Sequence, residues 1–324
     1  MTSILVAGGA GYIGSHITRL LLQMGYQPII FDNLSTGHIE SVPEGVKIVV
    51  GDVRDTALVT SALLEHKIEA VVHLCASSIV SESVSDPLKY FDNNVCGAIS
   101  LLKAMSAASV SKLVFSSTAA VYGEPTRVPI HESDQKVPIN PYGESKLMIE
   151  TIIRSTSINC VAFRYFNVAG AGFGVGEMHD CETHLIPCII KNTLYKKPAF
   201  IFGTDYNTAD GTCVRDYVHV VDLAVAHELG LQQLLKGQTG FQVYNLGTKN
   251  GMSVKEIINE IQKLINVEVV LKERRPGDPA VLVANADKAE KELHWKAERG
   301  AAEIVKDAVT FHVEQENTLR QKKQ

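Results

Sequence analysis

The run ILVAGGAGYIG, residues 4–14, decides the fold. Four apolar residues read as a short buried strand, glycines follow at once as Gly8, Gly9 and Gly11, and a helical apolar pattern opens near Ile13 and continues to residue 24. A GxxGxxG turn between a strand and a helix lets the backbone bend tightly through Gly8, Gly11 and Gly14 and approach a pyrophosphate. The helix N-terminus adds unpaired N–H groups and a favourable dipole for negative charge. Small residues at such a turn also serve plain packing, so the motif needs company. Asp32 supplies it: 18 residues after Gly14, at the end of a second strand, its carboxylate can accept from ribose hydroxyls and repels a 2′-phosphate. NAD is favoured over NADP.

Outward from this unit, short β-rich runs alternate with longer helical patterns. Strands are expected at 4–7, 28–31, 47–50, 70–74, 112–116 and 160–164, and helices at 13–24, 57–66, 87–108 and 142–155, with Pro141 opening the last. The repeated βαβ order predicts an α/β fold with a doubly wound parallel sheet of the Rossmann kind over residues 1–167. Past Asn167 the chain becomes rich in Gly, Asp and Thr, with helical stretches at 185–194, 221–235 and 254–264. This half, 168–324, reads as a smaller C-terminal substrate-binding lobe, with residues 243–246 available as a strand returning to the main sheet.

Composition narrows the function. Among 324 residues 45% are hydrophobic and 21% charged, as in folded globular proteins. A formal net charge of -5 without long Lys or Arg runs gives no attraction to nucleic acid or acidic membranes. Arg320, Lys322 and Lys323 read as a solvated chain end. No apolar stretch reaches the roughly 18 to 20 residues that cross a bilayer, and the apolar N-terminus is too short for a secretory signal. Six cysteines without a CxxC pair suit a reducing cytoplasm. Cys181 and Cys188, beside His179 and His184, form no zinc pattern, and no metal is expected.

The chemistry-bearing residues lie at the carboxyl ends of the strands. Tyr142 and Lys146, at i and i+4, share a helix face, where the ammonium and a nicotinamide cation both favour the phenolate. Tyr142 can then act as a base on a sugar hydroxyl, although any helix carries YxxxK by chance. Thr118, ending the fifth strand, is the hydroxyl expected to hold the reacting oxygen, with Ser116 nearer the nicotinamide; both also serve simply to end a strand. Asp52 and Val53, after the third strand, face the adenine, unless Asp52 caps the helix near Thr56.

The segments GGAGYIG, DNLSTG, GDVRD, DNNV, SSTAAVYGE, PYGESKLMIE, RYFNVAG, THLIP, DGTCVRDYVHV, YNLGT and RRPGD, spread over nearly the whole chain, resemble the extended short-chain dehydrogenase/reductase superfamily and, within it, the UDP-glucose 4-epimerase family. The glycine turn and YxxxK belong to the whole superfamily, whereas RDYVHV and RRPGD are more specific. The resemblance implies that Tyr12, Ile13, Asp32, Asn33, Asp52, Val53, Leu74, Cys75, Ala76, Asn93, Tyr142, Lys146 and Phe166 hold NAD. It implies a UDP-sugar held by Asn167, His184, Leu185, Phe202, Arg215, Arg275 and Asp278, the arginines neutralising the diphosphate. Leu282 falls near a gate where a bulky Tyr excludes N-acetylated sugars and a small residue admits them. The chain departs from one form of the family at Ser78, where a Lys stands, and at His184, where Asn stands in some members. A homodimer through residues 87–108 and 142–155 is also implied.

The implied reaction oxidises the sugar at C4 and returns the hydride to the opposite face. Related dehydratases follow the Thr118 position with Asp-Glu, and decarboxylases place Glu second; here the pair is Ala119 and Ala120. A UDP-glucuronate 4-epimerase and a noncatalytic NAD-binding regulator remain as rivals.

Overall fold

The computed structural model describes residues 1–179, 182–274 and 279–322. Its centre is a seven-stranded, all-parallel sheet made from β1 (Ser3–Ala7), β2 (Gln27–Asp32), β3 (Lys47–Val50), β4 (Ala70–His73), β5 (Lys112–Thr118), β6 (Asn159–Tyr165) and β11 (Phe241–Leu246). The strand order is β11-β6-β5-β4-β1-β2-β3. The order reverses between β1 and β4, and the crevice for a ligand opens there, beyond the carboxyl ends of the strands. The return of residues 241–246 to the sheet extends the expected strand by two residues; β11 pairs with β6 from Phe241↔Cys160 to Leu246↔Tyr165.

Strand alternation feeds two cores. Leu5 points toward α2 (Thr56–Glu65), α5 (Gly97–Ala107) and α6 (Pro141–Arg154), packing in one cluster with Leu63, Leu101 and Ile149. Ile4 and Val6 point the other way, toward α1 (Tyr12–Gln23) and α8 (Val220–Leu235), with Ile17, Leu21 and Leu231. At the turn itself, Gly8 has φ +88°, and a Cβ on Gly14 would lie 2.0 Å from the Gly8 carbonyl oxygen. Only hydrogen fits at residue 14, so strand and helix close on each other at that point.

Residues 87–108, expected as one helix, divide. After α3 (Val80–Ser85) and α4 (Pro87–Tyr90) a π-helical segment, Phe91–Cys96, precedes α5. The helical axis continues, but its winding loosens where Asn94 bonds Ser77 and Ser145.

The C-terminal half forms a third core. The helices α7 (Leu185–Leu194), α9 (Val254–Gln262) and α11 (Ala301–Lys322) bury Ile186, Ile190, Ile257, Ile261, Ile304 and Val305 together. Short strands surround them: β7 (Asn167–Ala169) with β10 (Tyr217–His219), β8 (Ala199–Phe202) with β13 (Val269–Lys272), and β9 (Val214–Arg215) between β12 (Met252–Ser253) and β14 (Val281–Leu282). The helix α10 (Asp287–Leu293) leads to Trp295, whose Nε1 donates to the Asp222 carbonyl at 2.8 Å. The helix α11 reaches Lys322, and Arg320 pairs with Glu316 at 2.9 Å. No described helix is long and apolar enough to cross a membrane.

One buried ion pair joins α6 to the sheet. Arg164 of β6 donates to Glu150 from Nε at 2.9 Å and from Nη2 at 2.5 Å, with both side chains almost fully enclosed. Arg164→Met removes the main cationic partner of that buried carboxylate, leaving it Ser117 Oγ at 2.6 Å and Arg154 Nη2 at 3.5 Å, and is expected to cost about 3 kcal/mol in urea unfolding, the low end for breaking a buried pair. The double change Glu150→Leu with Arg164→Met should recover much of the loss. Equal loss in both proteins would show that the charge pair is not what holds this contact.

Candidate active site

A cavity of about 840 Å³ follows the carboxyl ends of the main-sheet strands. The glycine turn forms one end of it. Asp32 closes that end by accepting from Ala10 N through Oδ2 and from Leu34 N through Oδ1, both at 2.9 Å. The carboxylate therefore fixes the glycine turn and the β2 turn together, and its remaining lone pairs face the cavity it lines. Gly8, Gly11, Tyr12, Ile13 and Gly14 share this wall with Asn33, Val53, Leu74, Cys75, Ala76 and Asn93.

Asp52 is turned aside. Its carboxylate takes Arg54 N and Nε at 2.9 Å and Nη2 at 2.6 Å, which hold its pKa near 2. It does not cap the helix either; Asp55 does so, accepting from Leu58 N at 2.9 Å.

The middle of the cavity carries Tyr142, Thr118, Ala119 and Ala120. Asn140 caps α6 by accepting from Gly143 N at 2.8 Å, and Pro141 starts the helix, so Tyr142 stands on a fixed first turn. Its ring meets Tyr90 edge to face, with centroids 6.4 Å apart and planes at 82°. Burial raises the Tyr142 pKa, and a hydrogen bond with Thr118 opposes the rise. The expected depression by Lys146 is replaced by another arrangement. Lys146 Nζ donates to the Ser116 carbonyl at 2.8 Å and lies over the Phe115 ring, and burial lowers its pKa to about 8.

Ser116 lies beneath the cavity wall rather than in it. Its hydroxyl meets His227 Nε2 at 3.1 Å, so its part is to anchor Lys146 through the carbonyl. Ser117 adds a further bond, to Glu150 Oε1 at 2.6 Å. Three consecutive β5 residues thus meet three successive turns of α6: Thr118 with Tyr142, Ser116 with Lys146, Ser117 with Glu150. The sequence reading missed Glu150, Arg164 and Asn94. The i, i+4, i+8 spacing of Tyr142, Lys146 and Glu150 was its available sign.

At the other end stand Phe166, Asn167, His184, Arg215 and Leu282. Asp216 sets this wall: it accepts from Thr248 N and Oγ1, both at 2.7 Å, and from Ala284 N at 3.1 Å, while its own N–H donates to the Leu282 carbonyl. Arg215 and Leu282 consequently sit in register on adjacent strands. His184 precedes α7; burial opposes its charge, but hydrogen bonds to Glu177 and Glu182 raise its pKa to about 10. Leu185 begins α7 and Phe202 ends β8, both outside the cavity lining. Ser78 lines it. Cys181, Arg275 and Asp278 lie outside the described residues.

The family sequence model described as GDP-mannose 4,6 dehydratase matches residues 5–308. A UDP-glucose 4-epimerase of Rhizobium meliloti is 46% identical over 319 residues, 96% of this chain and 97% of its own. The chain belongs to the UDP-glucose 4-epimerase family. Among solved members of that family, the Brucella ovis enzyme in complex with NAD superposes with a TM-score of 0.93 at 41% identity, covering 96% of this chain and 98% of its own. The Bifidobacterium longum enzyme in complex with NAD+ and UDP gives 0.92 at 39% identity, covering 98% and 99%. The family scaffold is thus present throughout, and Ala119 and Ala120 form the wall beside Thr118.

Lys146 makes a pH prediction for the ligand-free protein. Its pKa falls from 10.5 to about 8 on folding, so between these values the unfolded chain binds a proton that the folded chain releases. Lys146 therefore contributes stability that grows with pH across that window, by up to about 3 kcal/mol, while the buried thiols of Cys75 and Cys160, held above their ordinary pKa, contribute the opposite slope from about pH 9. In paired urea titrations, wild type minus Lys146→Met should gain stability from pH 8 to 10.5; a difference that does not change with pH would place the lysine charge in solvent.

Proposed function

We propose that this protein interconverts UDP-glucose and UDP-galactose, inverting the sugar at C4 with NAD held along the glycine turn. The observation that carries this reading is the Thr118–Tyr142 hydroxyl pair in the cavity wall, flanked by Ala119 and Ala120. One base and one hydroxyl suffice for oxidation and return. Elimination or decarboxylation needs a further acid, and the two alanines offer none.

The residues fit NAD: a Gly14 that tolerates no side chain, a wall of glycines at a helix N-terminus, and Asp32 facing the same cavity. When bound, the cofactor supplies the acceptor of the C4 hydride and its donor on return. The positive charge of the bound nicotinamide would favour the Tyr142 phenolate against the rise that burial imposes on the ligand-free protein; Tyr142 would then take the proton of the 4-hydroxyl while Thr118 holds that oxygen, and return it once the sugar presents its other face. The same ring that oxidises must therefore turn within the site. Arg215 grips the diphosphate while the hexose meets Leu282, Ala119 and Ala120, small or apolar groups that allow rotation. Leu282, intermediate in bulk between the two gate types, is the residue on which acceptance of N-acetylated sugars turns.

We place the enzyme in the cytoplasm, in keeping with the five free cysteines among the described residues. A homodimer through α5 and α6 accounts for the concavity lined by Ile99, Leu102 and Ile152 and for the exposure of Met148 beside it.

Purified protein incubated with UDP-galactose, UDP-N-acetylgalactosamine and UDP-glucuronate, each analysed chromatographically, tests the reaction and its range. Tyr142→Phe should retain NAD yet lose about 10²- to 10⁴-fold in kcat. Unchanged epimerisation in that variant would remove Tyr142 from the chemistry, and failure of the wild type on all three sugars would favour a noncatalytic NAD-binding role.

A further inference from the structure

Between β7 and α7 the chain brings two imidazoles and two carboxylates together at the cavity rim. Glu177, His179, Glu182 and His184 each offer one ligand atom, and these atoms lie within 4.8 Å of one another. His179 Nδ1 is 3.0 Å and His184 Nδ1 is 2.7 Å from the same oxygen, Glu177 Oε1, and His184 Nδ1 is 3.1 Å from Glu182 Oε1.

The bland account is a set of imidazole–carboxylate ion pairs, but its geometry is uneconomical. Separate ion pairs spread over both oxygens of a carboxylate, whereas here both histidines turn the same kind of ring nitrogen to one oxygen of a buried glutamate. Four donor atoms within 4.8 Å of one another can be bridged by one cation, Glu182 Oε1 being oriented by the backbone N–H groups of Thr183 and His184 at 3.0 Å. A tetrahedral ion with bonds of about 2.0–2.1 Å separates its ligand atoms by roughly 3.3 Å, within the spread observed.

We propose that Glu177, His179, Glu182 and His184 form a binding site for a divalent transition-metal ion, zinc foremost. Mixed imidazole and carboxylate donors suit Zn²⁺ and its neighbours Co²⁺ and Ni²⁺; Mg²⁺ and Ca²⁺ favour all-oxygen shells. Lys191 Nζ lies 3.4 Å from Glu182 Oε2, so it balances the oxygen that does not face the cluster. Two carboxylates, one ammonium and a divalent ion leave a net positive charge on a wall of the cavity, a favourable sign beside a diphosphate. The ion's role is to tie the loop to the start of α7 and hold the wall residues Thr183 and His184, which line the cavity. Coordination through Nδ1 leaves the second ring nitrogen of His184 available to substrate.

The test uses the untagged full-length protein as purified, stripped with a chelator and titrated with Zn²⁺ against a chromophoric competitor. One equivalent should bind, excess Mg²⁺ should not displace it, and the thermal midpoint should rise on addition. Co²⁺ in its place should give the intense visible absorption of a four-coordinate site. His179→Ala and Glu177→Gln should each weaken Zn²⁺ binding by at least about 100-fold, the upper end of the loss on removing a group that merely orients a ligand. His179 is part-exposed, so its variant keeps the test open should Glu177→Gln not fold. Absence of stoichiometric binding, or wild-type affinity in His179→Ala, would overturn the proposal. Epimerisation by the stripped enzyme is read separately, so failure of the metal site and failure of the sugar reading give different results.

Discussion

The pairing of α6 with β5 is the contact on which the site depends. Chemistry requires Tyr142 and Thr118 to keep a fixed separation, and a helix lying on a strand can slide along it. Here three rungs prevent sliding, and only the first faces the cavity. The second, Lys146 to the Ser116 carbonyl, and the third, Ser117 to Glu150, lie behind it and are buried. Arg164 then neutralises Glu150 and reaches Tyr122 Oη at 2.9 Å, which itself donates to Asn245 Oδ1 at 2.6 Å. These polar groups are paired with one another in a low-dielectric layer, and a displaced helix would strand several at once. Precision at the hydroxyl pair is therefore set one layer deeper, across β5, β6 and β11.

The same logic holds at the substrate end with different material. The short strands there have too few ladder bonds to fix their own register, and Asp216 supplies the missing constraint through three bonds to Thr248 and Ala284. Its burial raises the carboxyl pKa while its hydrogen bonds oppose the rise. A rigid nucleotide end and a hexose end lined by apolar groups follow from where these bonds stop.

How much of this was legible in the sequence depends on the range of the interaction. The alternation of apolar runs and the glycine turn are local, and they placed all six expected strands within a residue or two. Tyr142 and Asp32 were named from motif spacing, Thr118 from its place at a strand end and Arg215 from the family resemblance, and all four line the cavity. Glu150 and Arg164 look in sequence like an ordinary helix glutamate and strand arginine, and only folding reveals that they share a buried space. Ser116 and Asp52 were read for their position at strand ends; the structure shows their side chains engaged with His227 and Arg54. The helix α11 was not among the expected elements, although Ile304, Val305, Ala308 and Val309 recur at helical spacing.

The π-helical segment shows why a correct helix prediction can still miss a functional feature. Loosened winding over Phe91–Cys96 lets Asn94 hold Ser77 through its N–H and carbonyl while Asn93 Nδ2 reaches the Ser77 hydroxyl at 3.3 Å. Asn94 also bonds Ser145 at 3.0 Å, one residue before Lys146. The loop after β4, the π segment and α6 are thereby joined through two amides. Poorer backbone geometry over one turn is the cost of that junction, and such turns concentrate at functional sites because only there does the gain offset it. Composition carries no mark of the distortion, since the apolar rows of the helix continue on either side of it.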